Sequence, residues 1–120
     1  MNRTRMLAAA GLAALATGVA GASGAGAATP KLVASVSDPL NISLTLSGKK
    51  VTKLKAGTYT ITVQDKSNIH DFHLSGPGVN KKTSVGGLGT TTWKVTLKKG
   101  TYKYVCDPHI TIMHGSFKVT

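Results

Sequence analysis

The stretch Trp93-Lys94-Val95-Thr96-Leu97-Lys98-Lys99-Gly100-Thr101-Tyr102-Lys103-Tyr104-Val105-Cys106 decides the fold class. Trp93, Val95 and Leu97 alternate with Lys94, Thr96 and Lys98. After the Lys99-Gly100 break the alternation resumes, with Tyr102, Tyr104 and Cys106 on one side and Lys103 on the other. A period of two is that of a half-buried β-strand, because successive side chains leave opposite faces. The aromatic and β-branched residues suit a pleated surface, and the glycine marks a turn. Two strands joined by a tight connection are predicted here, each with one apolar face.

The same pattern extends outward. Ile42, Leu44 and Leu46 alternate with Ser43 and Thr45; Tyr59, Ile61 and Val63 alternate with Thr60 and Thr62; Phe117 and Val119 flank Lys118. Turn signals separate these runs at Ser47-Gly48, Ala56-Gly57, Ser75-Gly76-Pro77-Gly78 and Gly86-Gly87. After the leader, no window of ten or more residues carries an amphipathic helical period. About seven short strands with one apolar face each predict an all-β chain, folded as a β-sandwich of two packed sheets.

The N-terminus reads differently. Arg3 and Arg5 precede an apolar run from Met6 to about Ala20, followed by small residues and the A-x-A pattern Ala25-Gly26-Ala27. This is the layout of a secretory signal peptide. Gly11, Thr17 and Gly18 interrupt the run, which argues against a permanent span. Residues 1–27 are therefore expected to be a cleaved signal and residues 28–120 a single domain. The location expected is outside the cytoplasmic membrane, periplasmic or extracellular, with no stable membrane insertion after cleavage.

Cleavage also changes the charge. The whole chain has 120 residues, 15 basic and 4 acidic, a formal +11. Both arginines leave with the signal, and thirteen lysines remain against four aspartates, a formal +9. A domain without arginine is poorly equipped for bidentate reading of nucleic acid. Most lysines fall on outward strand positions or in turns, which predicts a solvated surface that can also dock an acidic partner. The one cysteine excludes an internal disulfide and any CxxC zinc module.

The rare residues are concentrated. After the signal the chain has four histidines, one cysteine and one methionine, all in two segments, Asn68-Ile69-His70-Asp71-Phe72-His73 and Cys106-Asp107-Pro108-His109-Ile110-Thr111-Ile112-Met113-His114. Cys106 ends an inward-facing strand row, Pro108 forces a turn that returns His109, and Met113 precedes the glycine that opens the next strand. A thiolate, an imidazole and a thioether thus meet in one loop, and the upstream segment can supply a second imidazole. Two imidazoles, a thiolate and a weak axial thioether form the ligand set of a blue-copper electron-transfer site. His70 and His73 lie three apart, so on an extended strand only one can face Cys106.

The segment from Tyr102 to Phe117 resembles the C-terminal copper loop of plastocyanin-like and amicyanin-like cupredoxins. Their signature is Tyr-x-Cys, then x-Pro-His, a methionine and a glycine-led last strand. Ile69-His70-Asp71-Phe72-His73 resembles the family's first ligand segment. The resemblance implies a cupredoxin-like Greek-key β-sandwich and one copper ion held by His70, Cys106, His109 and Met113. It leaves His73 and His114 outside the first set of ligands. Asp71 stands where the family usually has asparagine, so the tie between the two ligand loops is expected to be rearranged.

The resemblance further implies a monomeric one-electron carrier rather than an enzyme. Its acidic redox partner would dock near His109, over an apolar ring drawn from Pro108, Ile110 and Ile112 and from the turns around Pro77, Val79 and Leu88. A periplasmic or extracellular copper-handling protein using the same site is the alternative. A metal-free module that binds anionic polymers through its lysines is a third reading. No paired carboxylates are evident, and Cys106 and His109 as nucleophile and base would need a third, orienting group.

Overall fold

A computed structural model describes residues 29–120. The predicted signal, residues 1–27, lies outside the described residues. Ten strands run in order: β1 (Lys31–Ser37), β2 (Asn41–Leu46), β3 (Lys49–Lys50), β4 (Lys53–Leu54), β5 (Gly57–Asp65), β6 (His73–Gly76), β7 (Val79–Lys82), β8 (Gly89–Leu97), β9 (Gly100–Val105) and β10 (His114–Val119). They form two five-stranded sheets, ordered β3-β2-β1-β5-β8 and β4-β10-β9-β6-β7. The all-β sandwich expected from the alternation is what forms.

The strand count exceeds seven for identifiable reasons. β3 and β4 are two residues each, too short to show a period. The β6–β7 hairpin shows in the sequence only as its Gly76-Pro77-Gly78 turn, because its strands are four residues each. In β1, Leu32, Ala34 and Val36 are buried while Lys31 and Val33 are exposed, so an alanine inside and a valine outside blur the pattern. Two pairings are parallel, β1 with β5 and β10 with β4. Such pairings join segments distant in sequence and leave no local signature.

The predicted faces hold. Tyr59, Ile61 and Val63, Trp93, Val95 and Leu97, and Tyr102, Tyr104 and Phe117 are all buried between the sheets. The aromatics align along the interior. Tyr102 stacks on Phe117 at 5.4 Å between ring centroids, and Tyr104 stacks on Phe72 at 5.5 Å. The Tyr102 hydroxyl donates to the Pro77 carbonyl (2.7 Å) and accepts from the Lys98 N–H (2.9 Å), so its one polar atom is satisfied.

Registers fix which loops share an end. β1 and β5 run parallel, with Val36 beside Asp65; Asp65 also pairs with Gly89, and His73 pairs with Val105, which pairs with His114. The connections 38–40, 66–72, 83–88 and 106–113 therefore gather at one end of the sandwich. The turns 47–48, 55–56, 77–78 and 98–99 gather at the other.

Candidate metal centre

Each ligand candidate arrives by a different local device. Cys106 follows β9 on the buried row of Tyr102 and Tyr104. Asp107–His109 then form a single 3-10 turn with Pro108 inside it, where a missing N–H costs nothing. The His109 N–H donates to the Cys106 carbonyl (3.0 Å), the Met113 N–H to the His109 carbonyl (2.8 Å), and the Cys106 N–H to the Met113 carbonyl (3.0 Å). The loop is closed on itself by its own backbone, with Met113 fully buried within it. Beyond it, a Cβ on Gly115 would run into the Tyr104 ring, so only glycine lets β10 lie this close to β9.

His70 comes from the other sheet connection and is also fully buried. Its Nδ1 lies 3.2 Å from His109 Nδ1 and 3.6 Å from Cys106 Sγ, and His109 Nδ1 lies 3.5 Å from the same sulfur. Two ring nitrogens and one sulfur thus converge on a point, as the sequence analysis expected of His70, Cys106 and His109. Met113 is brought into the same loop by the hydrogen bonds above.

The second hydrogen-bond layer shows that this donor set suits a metal ion. His70 Nε2 lies 3.0 Å from the Pro39 carbonyl and 3.2 Å from Asp38 Oδ1. Both partners only accept, so Nε2 carries the hydrogen and, in the neutral ring, the Nδ1 lone pair is turned toward the cluster. Asp38 Oδ1 also accepts from the Ser67 hydroxyl at 2.7 Å, and the Ser67 oxygen accepts the Ile69 N–H at 3.2 Å. The β1–β2 turn thereby fixes the loop that carries His70. Burial pushes the Cys106 thiol up, against hydrogen bonds from the backbone N–H groups of Asp71 and His109. Neutral imidazoles with a soft sulfur are the donors that copper favours. Sequence reasoning missed Asp38, Pro39 and Ser67, and Asp38-Pro39 carries no signal beyond that of a turn.

Asp71 keeps the two ligand loops tied. Its Oδ1 accepts the Asp107 backbone N–H at 2.6 Å. Burial, together with a carboxyl hydrogen bond to Asp107, raises the Asp71 pKa above the ordinary value. His73 points away from the cluster, but not through strand alternation: His70, Asp71 and Phe72 lie outside any strand and are all buried, and β6 begins only at His73. Its Nδ1 pairs with Asp107 at 3.0 Å and its Nε2 with Asn80 Oδ1 at 2.6 Å. His114 is exposed.

The His73–Asp107 pair has a pH signature. Partial burial pushes His73 down, but hydrogen bonds to Asp107 and Asn80 and the charges of Asp107 and Asp71 outweigh it, and its pKa stands above the ordinary 6.5. A pKa raised on folding gives stability that is complete below the unfolded value and fades as pH climbs through the folded one. His73→Gln should therefore be destabilising at about pH 6 and nearly neutral at about pH 9. Urea midpoints of the two proteins at both pH values test this; a constant difference would contradict it.

Six exposed large apolar side chains surround this end: Leu40, Ile69, Val85, Leu88, Ile110 and Ile112. The expected ring is corrected in part. Ile110, Ile112 and Leu88 are at this end, but Pro77 and Val79 lie at the opposite end, because β6 runs antiparallel to β9 and carries its turn away from Cys106.

Residues 41–120 match the family model described as copper binding proteins, plastocyanin/azurin family. Reduced rusticyanin is similar in structure, with a TM-score of 0.57 and 25% identity over 75% of this chain and 78% of that one. Rusticyanin from Thiobacillus ferrooxidans gives 0.53 and 26% over 75% and 76%. None of the curated proteins matches the chain.

Proposed function

Because the chain belongs to the plastocyanin/azurin family of copper-binding proteins, we propose that it is an exported, monomeric one-electron carrier whose copper ligands are His70, Cys106, His109 and, axially, Met113. The observation that carries this reading is the convergence of His70 Nδ1, His109 Nδ1 and Cys106 Sγ within 3.2–3.6 Å of one another. Bound copper supplies a couple between Cu(II) and Cu(I) and transforms no substrate.

The protein's part is positional. His70 is held by Asp38 and Pro39, Cys106 by its inward strand row, and His109 and Met113 by the closed loop. Side chains held this firmly in a packed interior rearrange little when the charge of the site changes. His109 is the ligand that reaches the surface, being only half-buried while His70 and Cys106 are buried. The surrounding apolar side chains form a docking patch for a redox partner. Lys66 and Lys82 border this end but stand near the exposed Asp38 and Asp107, so an acidic partner meets few anchoring charges there, which favours rapid release.

Adding Cu(II) to the purified protein should give an intense visible thiolate-to-copper band, and a colourless adduct would overturn the reading. Reversible redox cycling at one potential distinguishes a carrier from a copper-handling protein, which would give up Cu(I) readily to an acceptor.

Asp38 gives a sharper expectation. A carboxylate on the far nitrogen of a metal-binding histidine increases its basicity and favours the more highly charged ion. Asp38→Asn keeps the shape and removes the charge. The reduction potential should rise, by on the order of a tenfold change in the Cu(II)-to-Cu(I) affinity ratio, or ~59 mV. A potential equal to or below wild type would rule out this role.

A further inference from the structure

The charges of this domain are segregated. All four acids of the chain, Asp38, Asp65, Asp71 and Asp107, lie in or beside the loops of the metal end. At the opposite end both sheets present lysines: Lys49 and Lys50 on β3, Lys53 and Lys55 around β4, and Lys98 and Lys99 in the β8–β9 turn, all exposed. No acidic residue of the chain lies among them. The exposed large apolar side chains are at the metal end, apart from Val33 on β1, so the lysine pole has no apolar centre among the described residues.

We propose that this lysine pole rests on anionic phospholipid headgroups, holding the protein with its metal end turned away from the bilayer. Protein interfaces are built around an apolar, often aromatic or arginine-containing core; the pole offers Pro77 and half-buried residues such as Val79 as apolar surface and has no exposed aromatic side chain or arginine among the described residues. Lysines alone are compact, strongly hydrated charges that act at a distance without fixed geometry. Such clusters are drawn to anionic leaflets by on the order of fivefold in affinity per lysine.

The described chain begins at the same pole. The Thr60 N–H, near the start of β5, donates to the Pro30 carbonyl at 3.0 Å, so the described domain begins at the lysine end. The apolar run Met6–Ala20 precedes it in sequence. The separated charges make the protein an electric dipole that orients as it approaches a negative surface. The docking patch around His109 then remains open to a partner.

The test is co-sedimentation of the copper-loaded protein with phosphatidylglycerol-containing vesicles, and with phosphatidylcholine alone, at low and physiological ionic strength. Two variants of equal net charge separate the pole from the overall charge. Lys49→Gln with Lys98→Gln and Lys99→Gln should lose about a hundredfold in vesicle affinity. Lys66→Gln with Lys81→Gln and Lys82→Gln should lose far less. Binding should weaken steeply with salt. Equal losses in the two variants, binding to neutral vesicles as strong as to anionic ones, or no binding to anionic vesicles at low salt would each overturn the proposal. Retention by a soluble anionic polymer but not by vesicles would overturn the lipid assignment.

Discussion

Cys106→Ser is expected to abolish the intense visible absorption of the Cu(II)-loaded protein. It should weaken copper binding well beyond the roughly 10–100-fold that follows loss of an outer hydrogen-bond partner. Cys106 is fully buried, and its sulfur faces His70 Nδ1 at 3.6 Å and His109 Nδ1 at 3.5 Å. A serine hydroxyl fills much the same space but is a hard donor that stays protonated, so the soft anionic ligand is lost while the imidazoles remain. The cost to the fold should be modest, on the order of 1–3 kcal/mol for a hydroxyl in this setting. Visible and electron paramagnetic resonance spectra after copper addition, with a thermal melt of the same sample, check both parts. A folded variant that keeps the band would show that the thiolate is not a ligand.

The second large effect is on stability. Phe72→Ala is expected to cost about 3–5 kcal/mol, a large share of the roughly 5–15 kcal/mol that holds a domain of this size together. Phe72 is fully buried, stacks on Tyr104 at 5.5 Å and meets Trp93 at 6.2 Å. It is also the anchor of the His70-Asp71-Phe72-His73 segment, and its N–H donates to the Thr83 hydroxyl at 3.0 Å. Truncation should therefore loosen His70 and lower copper affinity along with the urea midpoint. Leu88→Ala, at a side chain 68% exposed, is the control and should stay within about 0.5 kcal/mol. A Phe72 variant within ~1 kcal/mol of wild type would show that the segment is held by its hydrogen bonds instead.

Much of this protein was legible from residue order. The alternation from Trp93 to Cys106 implied the burial of Trp93, Val95, Leu97, Tyr102 and Tyr104 that the structure has. The spacing of Cys106, His109 and Met113 implied one loop, since Pro108 leaves few ways to run the chain between them. His70 and His73 do part, His70 buried and His73 on Asp107, but the extended strand that the three-residue step assumed is absent, since His70, Asp71 and Phe72 are consecutive buried residues ahead of β6. Each inference concerned a few neighbouring residues, where backbone sterics decide direction.

What sequence left open involved residues far apart. Asp38 sits 32 positions before His70 yet lies 3.2 Å from its ring, because the parallel pairing of β1 with β5 brings their ends together. The same registers moved Pro77 and Val79 to the far end and gathered the four acids at the metal end. Sequence by itself determined the strand faces and the compact loop from Cys106 to Met113, both set by alternation and spacing over short distances. Tertiary structure alone decided what orients His70 beside the sulfur and where each charge stands, because strand pairing across the two sheets has no counterpart in local order.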